Sequence, residues 1–335
     1  METLILSARD VRRLLPMDEC IGVMAEALAA LARGEALQPL RPVMWLPGPE
    51  PRALGLMPSY VEPLGAVGLK AITVFPGNRG TPSESHQGAV LLFEAGHGRL
   101  VAIAEASAIT EIRTAAVSGL ATRLLAREDA GDLAILGAGA QARSHLEAMA
   151  EVRPLRRVRA WSRSHEGAER FAHWAAGRGF AVEAMPSPVE AVDGADLICT
   201  VTSSPEPVLL GEWIAPGAHV NAVGACTPRT RELDAPAVAR SRLFVDRRES
   251  ALAEAGDFLL ARTEGAIGDD HIAGELGEVL LGQVPARTSA EEITVFESLG
   301  LAVEDLAAAD VVYRRALEVK RGTWVDFGGG PDEAP

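Results

Sequence analysis

The run LAILGAGAQA at 133–142 constrains the fold of this chain more than any other stretch. Four mostly aliphatic residues without polar alternation read as a strand buried on both faces, the kind found in parallel sheets. They pass directly into Gly137, Gly139 and Ala142, a G-x-G-x-x-A turn, and residues 141–152 continue at helical spacing. Glycine at 137 permits the tight turn, and glycine at 139 lets backbone N–H groups approach a pyrophosphate. A small residue at 142 keeps the helix close to the strand. The helix N-terminus then directs its unpaired N–H groups and its dipole at the phosphates. A glycine turn can form without a ligand, but strand, turn and helix stand here in the order dinucleotide binding needs. Gly137, Ala138, Gly139, Ala140 and Gln141 are the expected contacts.

After residue 125 strands and helices alternate. Candidate strands lie at 132–136, 158–162, 181–185, 195–201, 219–223 and 242–245, with helices such as 165–176 between them. That alternation predicts a parallel sheet covered on both faces. The region before it differs. A helical pattern covers 10–36, and a proline-rich stretch at 39–63 holds short strands such as 42–46. Strands at 66–75, 89–94 and 101–106 follow, the first two joined by a polar loop at 76–88, and then a long helix at 107–127. A last helical pattern is expected from about 289 to 321, and the glycine-rich, charged end at 328–335 is expected to fray.

With 335 residues there is room for two cores. The net charge of −14 would repel nucleic acid and anionic membrane alike, so neither is an expected partner. No apolar run approaches a membrane span, and METLILSARDVRRLL carries early charges where a signal peptide needs an apolar stretch. Cys20, Cys199 and Cys226 are odd in number and have no metal-like spacing, which suits incidental thiols in a reducing compartment. No histidine cluster has ligand spacing, so no metal site is expected, and the expected location is the cytoplasm.

Several polar residues stand out. Lys70, in GLKAITVF, shares a strand face with Ile72 and Val74. Either its amine reaches water at a strand end or it serves a buried anion, and burial would then lower its pKa enough for proton transfer. Arg113 sits among Ile109, Val117 and Leu120 at helical intervals and faces inward. Its planar fork either grips a ligand carboxylate or forms an internal salt bridge. Arg41 is a similar case, or an exposed loop arginine. Asp234 precedes a helical run with proline in its first turn, so it is a helix N-cap or a carboxylate that contacts substrate. The second strand of the nucleotide region ends in Ser162, Arg163 and Ser164, where NAD-binding folds usually carry an acid for the ribose hydroxyls. One positive charge and two hydroxyls suit the 2′-phosphate of NADP, so NADP(H) is favoured over NAD(H), unless Arg163 is merely solvated.

With these residues in view, the chain resembles the ornithine cyclodeaminase/mu-crystallin family over nearly its whole length. The resemblance is carried by MPSY at 57–60, GLKAITVFPGN at 68–78, SHQGAVLLFE at 85–94 and AITEIRTAAVSGLAT at 108–122. LGAGAQA at 136–142, GEWIAPGAHVNAVGA at 211–225, RELD at 231–234 and ITVFESLGLAVEDLAAA at 293–309 extend it. It implies an α/β protein in which a Rossmann-type parallel-sheet domain, 125–303, is inserted into a discontinuous α+β domain for substrate and dimerisation, 1–124 with 304–335. By matched position Arg41, Lys70 and Arg113 resemble the carboxylate-binding trio, Asp234 the acidic catalytic residue, and His86 a polar position of the cleft loop. Further cofactor contacts are implied at Val201, Thr202, Ala225 and Ser298, and a homodimer is expected.

One departure narrows the function. Where cyclodeaminases of the family have E-L-M-P, with the glutamate on ornithine's distal amine, this chain has Gly55-Leu56-Met57-Pro58. A cationic side chain in a dry pocket would lack its partner. The expectation is therefore an NADPH-preferring reductase of the C=N bond of a small imino acid, above all a cyclic ketimine carboxylate, or in reverse an L-amino acid dehydrogenase such as alanine dehydrogenase. A cyclodeaminase with bound NAD and an NADPH-dependent small-ligand binding protein are the alternatives.

Overall fold

In the computed structural model, residues 2–48, 52–78, 81 and 83–328 are described. The chain divides into two compact units, one from the described residues of 1–113 and 301–335, the other from 114–300. The helix Ala106–Leu125 begins in the first and ends in the second. The sequence boundary at 124 and the packing boundary at 113 both lie within it.

The first unit is built on an eight-stranded mixed sheet. Its order runs Thr323–Asp326, Glu2–Leu6, Leu100–Glu105, His86–Glu94, Ala66–Val74 and Arg52–Val61, with Ala36–Leu37 and Val43–Leu46 both pairing the last of these. Glu2–Leu6 and Leu100–Glu105 are parallel and the other pairs antiparallel. The helices Met17–Ala32 and Ala302–Glu318 pack together, and the second lies on the sheet. Alternation is strict along Arg52–Val61, with Ala53, Gly55, Met57, Ser59 and Val61 turned inward. The short strand expected at 42–46 is Val43–Leu46, and this ten-residue strand, unforeseen in the sequence, occupies most of the rest of the proline-rich stretch. Pro58 is tolerated because it falls between the two short strands of the outer edge, where no ladder is interrupted.

The second unit is an eight-stranded sheet in which every neighbouring pair is parallel. From Asp132–Leu136 the chain steps outward through Arg157–Trp161 to Val182–Ala184. It then returns to the opposite side of Asp132–Leu136 with Leu197–Thr200 and continues to His219–Ala222. The reversal creates a topological switch point between Asp132–Leu136 and Leu197–Thr200, the place where open parallel sheets bind ligands.

Two expected helices prove otherwise. The pattern at 10–36 is two helices, Ala8–Leu14 and Met17–Ala32, separated at Pro16, whose ring cannot continue the first. The pattern from 289 hides the strand Ile293–Glu297, wholly buried between His219–Ala222 and Ser241–Val245. An apolar run of that length reads equally as helix or strand by period, and its β-branched residues decide for strand. The helix begins only at Ala302, after Gly300 at φ 78°. The expected frayed end lies, from 329 on, outside the described residues.

Candidate active site

In the first unit, four charged side chains are buried together. Lys70 lies on the inward parity of Ala66–Val74, facing the helix Ala302–Glu318, and is only 3 % exposed. Its Nζ stands 2.6 Å from Asp305 Oδ2 and 3.4 Å from Thr110 Oγ1. Arg113, also 3 % exposed, donates from Nε to Asp305 Oδ1 at 2.9 Å and from Nη1 to Glu304 Oε2 at 2.7 Å. Both acids sit in the first turn of Ala302–Glu318, where the helix dipole favours negative charge.

Lys70 thus takes the buried-anion alternative, and Arg113 the internal ion pair. Burial pulls Lys70 down to about 8; the Asp305 carboxylate opposes this, while the charges of Arg113 and Arg41 reinforce it. Two positive and two negative charges balance within the cluster. The charge of Arg41 also reaches Lys70. His86 is exposed, with Nδ1 3.1 Å from Ser85 Oγ.

The second unit carries the glycine turn. Gly137 has φ 130°, and its N–H donates to Trp161 O at 2.8 Å. A Cβ there would lie 2.8 Å from Val201 O, so only glycine fits both the dihedral and the approach. Gly139 is the N-cap of Ala140–Val152 and makes no side-chain cap bond; a Cβ on it would meet nothing within 4 Å. Ala142 is fully buried. A long helix with no side-chain cap behind an open glycine fits the pyrophosphate of a dinucleotide.

Ser162 is half-buried and Arg163 and Ser164 are exposed, directly after the strand Arg157–Trp161. Val201, Thr202, Ala225 and Ser298 all follow the carboxyl ends of parallel strands, as Gly137 does. Asp234 adopts the helix-capping alternative. Its Oδ1 accepts from Ala237 N at 2.9 Å and from Gly211 N at 2.8 Å. Cys20, Cys199 and Cys226 are free thiols, and burial pushes Cys20 and Cys199 up to about 12, which makes them unreactive.

The sequence reading missed Glu304 and Asp305. Adjacent acids in a helix pass for surface charge, but here they stand among Leu301, Ala302, Val303, Leu306, Ala307 and Ala308. A helix apolar all round is buried, and that surrounding was the available signal.

Residues 1–320 match the family model described as ornithine cyclodeaminase/mu-crystallin family. Among curated proteins, a ketimine reductase mu-crystallin of Mus musculus is 44% identical over 313 residues, covering 92% of this chain and 96% of its own. Among solved structures, the Thermococcus litoralis Δ1-pyrroline-2-carboxylate reductase in complex with NADH and L-proline superposes with a TM-score of 0.93 at 36% identity. It covers 96% of this chain and 99% of its own. An archaeal alanine dehydrogenase dimer with bound NAD superposes at 0.91 with 34% identity, over 98% of this chain and all of its own.

Proposed function

Because this chain belongs to the ornithine cyclodeaminase/mu-crystallin family, we propose that it is an NAD(P)H-dependent oxidoreductase that reduces the C=N bond of a small cyclic imino acid. Oxidation of an L-amino acid such as alanine is the weaker reading. The observation that carries the proposal is Lys70, a buried ammonium 2.6 Å from Asp305 and next to the Arg113 guanidinium, held down to about 8.

A nicotinamide dinucleotide, held at 137–141 with Ser162–Ser164 at its ribose, supplies the hydride when bound. The rest is work for the chain. Arg41, Arg113 and Lys70 attract the substrate carboxylate. Fixing that carboxylate orients the imine carbon and makes the transfer effectively unimolecular. Lys70, easily deprotonated for a lysine, donates the proton that the ring nitrogen needs. Asp234 is the less suitable donor because its Oδ1 is engaged with two backbone N–H groups. His86 is a further polar contact for the substrate.

The Ser162-Arg163-Ser164 sequence in place of an acid supports NADPH over NADH. We also infer a homodimer. Met44 and Trp45, on the edge strand Val43–Leu46, are 56% and 61% exposed, an apolar surface suited to a second copy. A cytoplasmic location accords with the free thiols and the acidic surface; among the described residues no helix is long and apolar enough to cross a membrane.

Supplying Δ1-pyrroline-2-carboxylate with NADPH, and L-ornithine alone, tests the assignment. The expected result is proline formed in step with NADPH consumed and no ammonia from ornithine. Ammonia release without net oxidation would instead identify a cyclodeaminase.

A further inference from the structure

Neither the glycine turn nor the strand-end residues account for Glu232, a carboxylate with no exposure to solvent. Its Oε1 accepts from Thr202 N at 2.6 Å and from Thr202 Oγ1 at 2.5 Å, and its Oε2 accepts from Gly224 N at 2.6 Å. It thereby joins the segments that follow two adjacent parallel strands, Leu197–Thr200 and His219–Ala222. A Cβ at Gly224 would lie 2.2 Å from Thr202 O and 2.6 Å from Glu232 Oε2, so the two segments can meet only because residue 224 has no side chain. The main chain of Glu232 is itself anchored. Glu232 N and Leu233 N both donate to Asp257 Oδ1 at 2.8 Å, and Glu232 O accepts from Val208 N and Leu209 N. On the opposite flank Gly137 closes against Val201 O. The ends of three neighbouring strands are thus drawn together at the switch point.

A dinucleotide lying across such a sheet puts its adenosine half over the strand that ends at 161, its pyrophosphate at the glycine turn, and its other half over the strands beyond. We propose that Glu232 is a positioning residue for the nicotinamide half of the cofactor: it holds the segments at 201–202 and 224–225 in register without touching the nucleotide. The proposal rests on the dinucleotide reading of the turn. Both carboxylate oxygens accept, so glutamine cannot substitute. Its NH₂ would face a backbone N–H, donor against donor.

Calorimetric titration of the full chain with NADPH, NADH and ADP-ribose tests this. In Glu232→Gln the Kd for NADPH and for NADH should rise by a common factor of about 10 to 100, the range expected for hydrogen bonds to a charged group. ADP-ribose, which lacks the nicotinamide, should stay within about twofold. Thr202→Val removes one of the three donors and should raise the same two constants about two- to tenfold, again sparing ADP-ribose. It serves where the glutamine variant does not fold. Unchanged NADPH affinity, or equal loss of ADP-ribose affinity, overturns the proposal. A wild-type protein that binds none of the three overturns the dinucleotide reading and the proposal with it.

Discussion

Replacing Lys70 with methionine keeps the length and apolar stem of the side chain and removes only its charge. In the folded protein the change leaves Asp305 with one cationic partner, Arg113, and turns a balanced cluster of four charges into one with a negative excess. Breaking a buried ion pair costs about 3–5 kcal/mol; with Arg113 Nε still bonded to Asp305, the lower end applies, about 3 kcal/mol. For a unit of this size that lowers the melting temperature by roughly 6–12 °C. Adding Asp305→Asn restores neutrality, and an asparagine Oδ1 can still accept from Arg113. The double variant should therefore recover about 1–3 kcal/mol relative to the sum of the single changes. Activity should not recover with it. Loss of the ammonium removes a proton donor, about 10²- to 10⁴-fold in kcat. It also removes a carboxylate contact, about tenfold or more in KM. Thermal melts of the four proteins, with nucleotide titrations and initial rates, measure each quantity separately. The reasoning fails if the double variant shows no coupling, or if Lys70→Met weakens NADPH as much as it lowers kcat/KM.

Three further outcomes follow from the structure. Arg163→Ala should weaken NADPH by about 10- to 100-fold and leave NADH nearly unchanged; equal effects on both would remove Arg163 from the 2′-phosphate. His145 is fully buried, with Nδ1 2.8 Å from Gln141 O and Nε2 2.9 Å from Ser118 Oγ; since a carbonyl only accepts, the proton sits on Nδ1. Burial lowers this histidine to about 4, below its unfolded value of 6.5, so the unfolded chain takes up a proton in that interval that the folded chain refuses. The contribution of His145 to stability should be full above 6.5 and fall by an amount on the order of 3 kcal/mol as pH drops toward 4, in addition to that of the buried His219. His145→Gln should reduce that fall by about the same amount in pH-dependent melts, and an unaltered slope would assign the acid sensitivity elsewhere. Trp45→Glu should convert a dimer into a monomer in sedimentation, whereas a persistent dimer would exclude the Val43–Leu46 strand from the interface.

Much of this was legible in the sequence for a physical reason. The strand, turn and helix at 132–152 obey local constraints, namely the left-handed dihedral at Gly137, the cap at Gly139 and the close packing at Ala142, and local constraints write themselves into adjacent residues. Lys70 was conspicuous because an ammonium on the inward parity of a strand contradicts its neighbours. What escaped depends on distant partners. Glu304 and Asp305 acquire their meaning from Lys70 and Arg113, far away along the chain, and Glu232 from Thr202 and Gly224. Ile293–Glu297 reads as helix from sequence because a short apolar run has no decisive period; its place in the sheet comes from the strands on either side. Arg113 and Asp234 show the complementary limit. For each, the structural alternative weighed from sequence is the contact observed, an ion pair and a helix cap.

The central claim is that this chain passes a hydride from a reduced nicotinamide to a cyclic imine. Oxidation of NADPH and of NADH, followed by absorbance with Δ1-pyrroline-2-carboxylate as the acceptor, tests it most directly. The account predicts oxidation that depends on the imine, faster with NADPH than with NADH at equal concentration. No imine-dependent oxidation of either cofactor would contradict it.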